Sequence, residues 1–183
     1  MADRRTVAAV AVAALLPLLA GCGGDDGDPP SAAPTQTEPL WNPCDALGAQ
    51  GVGRRLGTPV VEENGTPTEP RCSFKPEREG DPVVAATYQI FPAGLEEAWQ
   101  TMGRSRTATV TQPPVPGATA TRLVVEVDHG QLFVTGFVQN GDLIQTVNAI
   151  DPEPFDRKRV TDTVVWALGR LSRQAGDAGF AAD

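Results

Sequence analysis

The stretch RLVVEVDHGQLFVTGFVQNGDLIQTVNAI, residues 122–150, decides the fold. It holds three apolar-rich runs, 122–128, 131–139 and 142–150, separated by the pairs His129-Gly130 and Asn140-Gly141. Asn-Gly readily takes positive φ at both central positions, as a type I′ hairpin turn requires, and His-Gly is a weaker match to the same turn. Two-residue turns set the register, so the faces can be checked one residue at a time. Val127 is expected opposite Leu132, Val125 opposite Val134, Val138 opposite Leu143, and Val134 opposite Val147. With Leu123 these form one apolar face. Glu126, Asp128, Thr135, Gln139, Thr146 and Asn148 fall on the other. Such alternation is the signature of a three-stranded antiparallel meander with one buried face.

Downstream, Asp151-Pro152-Glu153-Pro154 breaks the sheet, and its acids and prolines suit the start of a helix. Val160, Val164, Ala167, Leu168 and Leu171 form the apolar stripe of that helix, which should lie across the buried face of the meander. Upstream, residues 83–91 are rich in β-branched and aromatic residues and read as a strand. In residues 94–102, Leu95, Ala98, Trp99 and Met102 recur at helical spacing. Further strands are expected over 58–62, 71–75 and 107–111, with a turn at Asn64-Gly65 and a loop over 112–117. The first helix is expected over 42–56, capped by Asn42 or Asp45 with Pro43 in its first turn and Gly57 as its stop. The sum is an α+β fold, a mostly antiparallel sheet packed with about three helices.

The N-terminus carries a different signal. Arg4 and Arg5 precede an apolar run over residues 7–19, too short for a permanent span, which takes about 20 residues. A signal peptide has this length, and the run leads into Leu19-Ala20-Gly21-Cys22, a bacterial lipobox. Residues 1–21 are the expected lipoprotein signal peptide and Cys22 the lipidation site. A diacylglyceryl thioether supplies two acyl chains, enough for stable attachment. The residues around Arg4-Arg5 do not reinforce twin-arginine export, so the general secretory route is expected. Residues 22–39, beginning with Cys22 and followed by GGDDGDPPSAAPTQTEP, contain no large apolar side chain and read as a tether. Residues 40–183 form a single domain. The expected location is the extracytoplasmic face of the cell membrane. The usage of 13 Arg against 2 Lys, with abundant Ala, Gly, Pro and Val, reads as the coding bias of a GC-rich bacterium.

The chain has 183 residues and a net charge of −8. After cleavage it would carry 13 positive and 22 negative side chains. That balance argues against nucleic-acid partners and against holding an anionic membrane by surface charge. With Cys22 lipidated, Cys44 and Cys72 remain in a compartment where disulfides persist, and they allow one intramolecular pairing. The alternative, a metal or redox pair, lacks the C-x-x-C spacing and a nearby His.

A lipobox and tether followed by Asn42-Pro43-Cys44-Asp45, Arg55-Leu56-Gly57 and Cys72-Ser73-Phe74 resemble a large family of small actinobacterial lipoproteins. Their shared domain has no assigned function. The resemblance rests mainly on residues 40–75 and implies a lipid-anchored, exported, disulfide-bonded domain with no assigned catalytic residue. Here Gly48-Ala49-Gln50-Gly51 replaces the stronger helix former usual between the first two motifs.

No cofactor, metal or nucleophile motif stands in a suitable context. His129, the sole histidine, sits at a hairpin tip and reads as a turn residue. Glu62-Glu63 and Glu96-Glu97 are neighbours that do not face each other and read as surface charge. Phe133, Phe137 and Ile144 fall on the otherwise polar sheet face, with Phe137 expected opposite Ile144, and Trp166 lies off the main stripe of the last helix. Either the 94–102 helix covers this face, or it is an apolar patch for an envelope protein or a small apolar ligand. The expected function is a non-enzymatic binding or sensor module. Its rival is a hydrolase-like enzyme whose carboxylates the fold brings together.

Overall fold

In the computed structural model, which describes residues 41–66, 68–103 and 105–180, the first helix starts on a reciprocal cap. Asn42 Oδ1 accepts the Cys44 N–H, and an Asp45 carboxylate oxygen accepts the Asn42 N–H. This opens α1 (Pro43–Leu47). Gly48 then takes φ 65°, which ends α1, and α2 (Ala49–Leu56) begins beyond it. The single helix expected over 42–56 is therefore two, because a positive φ that glycine enters freely sits in its middle.

The sheet has seven antiparallel strands among the described residues: β1 (Val60–Thr66), β2 (Glu69–Pro76), β3 (Val83–Ile90), β4 (Thr109–Thr111), β5 (Ala120–Asp128), β6 (Gln131–Asn140) and β7 (Leu143–Pro152). Their order is β1-β2-β3-β7-β6-β5-β4. The chain lays down β1 to β3, passes through α3 (Gly94–Thr101) to the far edge, and meanders back until β7 pairs with β3. The last helix, α4 (Arg157–Asp177), packs on β6 and β7 from the opposite face to α3.

The expected β5–β6 register holds, with Val127 opposite Leu132 and Val125 opposite Val134. His129 takes φ 46° and Gly130 φ 74°, as that turn requires. The β6–β7 register is two residues away from the expected one. Asn140 pairs with Leu143, so Gly141-Asp142 makes the turn, Val138 faces Gln145, and Phe137 faces Thr146 rather than Ile144. Asn140 is drawn out of the turn because its side chain is fully buried. Its Nδ2 donates to the Gly117 carbonyl and Ser172 Oγ, and its Oδ1 accepts from Gln145 Nε2. A shift of two preserves parity, so every side chain keeps its face.

Two other boundaries move. β1 runs through Asn64-Gly65, and the reversal into β2 comes later, where the Glu69 N–H donates to Thr66 Oγ1 at 3.1 Å. β7 continues through Pro152, with Asp151 opposite Leu132.

The main core lies between the sheet and α1, α2 and α4. It includes Val52, Leu56, Phe74, Val84, Leu132, Val134, Val138 and the whole stripe expected on α4. Gly136 lets α4 approach the sheet: a Cβ there would stand 2.7 Å from Val164 Cγ1 and 2.9 Å from Leu168 Cδ1. Cys44 and Cys72 are joined as a disulfide that ties α1 to β2. The expected signal peptide (1–21), the Cys22 lipidation site and the tether (22–39) lie outside the described residues.

Candidate functional site

Parity places Val124, Glu126, Phe133, Thr135, Phe137, Ile144 and Ile150 on the sheet face opposite α4. α3 covers part of that face. Leu95 and Ala98 bury Phe137 to 8% exposure and Ile144 to 1%. The Leu95 N–H donates to Gln139 Oε1 at 2.8 Å, and Glu96 pairs with Arg122, fixing both the start and one flank of α3.

Of the two alternatives for this face, cover by the 94–102 helix holds for Phe137 and Ile144, and the four named residues do not form one exposed patch. Phe137 and Ile144 are core residues under α3. Phe133 is half-buried between Glu126 and Ile150. Trp166 is not part of this surface. It packs against the main core, beside Gly51, with the Arg55 guanidinium 5.0 Å over its ring.

Beyond the C-terminal end of α3 the covering is incomplete. A cleft of ≈ 170 Å³ remains, walled by Trp99, Met102, Ala108, Val110, Val124 and Phe137. The Trp99 and Phe137 rings meet edge to face at 6.1 Å. Ser105 and Thr135 add hydroxyls to an otherwise apolar lining. The connection from α3 to β4 closes one side and is pinned to the sheet. The Ser105 and Thr107 hydroxyls both donate to Glu126 Oε1, Thr107 at 2.5 Å. These bonds, Ser105's first, hold the Glu126 carboxyl below its usual range. Helical spacing already marks Trp99 and Met102. Val110 and Val124 escape sequence reasoning because nothing local shows that β4 pairs with β5.

A second cleft, of ≈ 230 Å³, lies at the opposite end of α4 from its C-terminus and collects Asp81, Asp151 and Asp156 with Arg78 and Arg159. Asp151 is 6% exposed, and its carboxyl is held above the usual range, by burial first and then by Asp81 and Asp156. Each carboxylate also has a scaffolding task. Asp151 accepts the Asp156 N–H, Asp81 accepts the Thr58 hydroxyl at 2.5 Å, and Asp156 caps α4 by accepting the Arg159 N–H.

The remaining candidates are structural. His129 is exposed at its turn, 3.6 Å from Asp128. Glu62 accepts the Ala49 N–H at the start of α2, and Glu63 pairs with Lys75 at 2.6 Å. Glu63, Glu96 and Glu97 are exposed, in keeping with the surface-charge reading, while half-buried Glu62 also serves α2. Glu62 also approaches both sulfurs of the Cys44–Cys72 bridge, but disulfide sulfurs offer no thiolate to a metal. In comparison with known proteins, no family model, no curated protein and no solved structure matches the chain.

Proposed function

We propose that this chain is a lipid-anchored envelope protein, held on the extracytoplasmic face of the membrane through Cys22, whose domain binds a small apolar ligand without transforming it. The observation that carries the binding role is the Trp99–Phe137 cleft. An apolar cavity of roughly 150 Å³ holds one benzene-sized group, and this cleft has that scale. Its few hydroxyls can orient a ligand, and among the described residues its walls carry no charged side chain. The lipobox, the acidic tether and the disulfide support the location.

Met102 gives the cleft its own reporter, since the sole other methionine is Met1. With ¹³C-methyl-methionine labelling of residues 22–183, octanoate or benzyl alcohol should shift the Met102 methyl saturably. Val124→Phe, which fills the cleft, should remove the response. No shift at millimolar probe would sink the binding role. A Cys22→Ser chain that stayed in the membrane fraction would sink the anchor.

The convergent carboxylates favour a second reading, an acid-assisted hydrolase in which Asp151, its pKa raised by burial, would be the general acid. The scaffolding tasks of Asp81, Asp151 and Asp156 weigh against it, and the stability of an Asp151 variant bears on the choice.

A further inference from the structure

The sheet has two edges, and they are not equivalent. At one, β4 is three residues long and is followed by Pro113, Pro114 and Pro116, so it offers little backbone. At the other, β1 is seven residues long and pairs with β2 alone. The Glu77 N–H donates to the Pro59 carbonyl at 3.3 Å, which marks Pro59 and Glu77 as a hydrogen-bonded pair. Antiparallel bonding alternates. Val61 and Glu63 therefore turn their backbone groups toward β2, whereas Val60 and Glu62 turn theirs outward. Pro76, which has no N–H, stands opposite Val60, as this phase requires.

At the Val60 end of that edge lies a pocket of ≈ 450 Å³, lined by Ala49, Gln50, Gly53 and Arg54 of α2 and by the chain from Gly57 to Val60. α2 closes on the chain there, since a Cβ on Gly53 would stand 3.0 Å from the Thr58 carbonyl oxygen and 3.7 Å from the Val60 nitrogen, so Glu62 carries the more open backbone groups. An edge with unused backbone donors and acceptors, and a pocket at the end that an antiparallel strand's C-terminus would reach, suits strand addition.

We infer that β1 receives an extended peptide segment of a partner protein as an eighth, antiparallel strand. A second copy of this chain fits poorly. Antiparallel self-pairing centred on Glu62 would set Glu62 directly against Glu62 of the copy, and like charges directly opposite destabilise a sheet. Polarity and charge define the partner instead. An antiparallel strand brings its C-terminal end toward Val60 and Arg54. Arg54 lines the pocket and makes no ion pair among the described residues. A carboxylate at the peptide's C-terminal end, with no acidic residue facing Glu63, is complementary. This surface is separate from the apolar cleft and does not depend on what that cleft binds.

The test uses a nine-residue peptide of alternating valine and threonine, with a lysine near its N-terminus and a free C-terminal carboxylate. Added to ¹⁵N-labelled residues 22–183, it should shift the Val60 and Glu62 amides and slow their hydrogen exchange. Arg54→Glu, an exposed substitution compatible with the fold, should weaken binding roughly tenfold. The same peptide N-methylated at alternate amides, which cannot complete the ladder, should not bind. Equal binding of the methylated peptide, shifts confined to the Met102 cleft, or no response at millimolar peptide would each overturn the inference. So would self-association through the β1 amides in the absence of peptide.

Discussion

Asp151 is where two demands on one side chain conflict. The alternation that buries Leu143, Gln145, Val147 and Ala149 continues to position 151 and turns a carboxylate inward. There it accepts the Asp156 N–H and closes the approach to α4. Burial and the neighbouring Asp81 and Asp156 raise its pKa in the folded chain above the unfolded value. A carboxyl so shifted destabilises the fold when ionised. That cost is complete above the folded pKa and relieved as pH falls toward the unfolded value, about 3.9. Asp151→Asn keeps an acceptor for the Asp156 N–H and removes the charge. Thermal unfolding should show the variant more stable than the parent at pH 7, with the advantage shrinking toward pH 3. A variant less stable at pH 7 would mean that the ionised carboxylate holds the loop through bonds an amide cannot replace. The stabilising outcome would leave a costly charge in a cleft without a structural reason, and would strengthen the hydrolase reading.

Between elements, the Cys44–Cys72 bridge joins the five-residue α1 to β2, the second strand from the β1 edge, with 28 residues of sequence separation. A helix this short does not persist alone. It is held by its cap, by the bridge, and by Arg170 of α4, whose Nε donates to the Ala46 carbonyl. Cutting the bridge frees a loop worth on the order of 3.5 kcal/mol in the chain-entropy model. Replacing both cysteines by alanine should lower the urea-derived unfolding free energy by about that amount. A loss below about 1 kcal/mol would show that α1 is held by its other contacts. The pairing was legible because one partner was all each cysteine had left. The faces of β5 to β7 were legible because alternation is local and a register error of two leaves it intact. The β6–β7 turn was not, because the fate of Asn140 depends on Gly117 and Ser172, which reach it only in the folded chain. The cleft was half legible for the same reason. Trp99 and Met102 declare themselves by spacing, whereas Val110 and Val124 become wall residues only when β4 crosses to the far edge.

Across the whole domain the two sheet faces are unequally covered. The main cluster joins 21 buried residues from helices and strands, whereas the α3 side joins four, Leu95, Ala98, Phe137 and Ile144. Burial of a large apolar side chain is worth about 1.5–3 kcal/mol. Lifting α3 therefore forfeits only a few such terms, together with the Leu95–Gln139 bond and the exposed Glu96–Arg122 pair. Global unfolding forfeits the α4 interface as well. The domain should open in at least two steps. Native-state hydrogen exchange should place α3 with Met102, Gly103 and residues 105–108 in a low-energy opening, with α4, β6 and β7 exchanging last. Occupancy of the Trp99–Phe137 cleft would raise the α3 opening energy specifically, because a ligand that binds the closed form stabilises it by mass action. Exchange of α3 at the same free energy as α4 would refute the hierarchy.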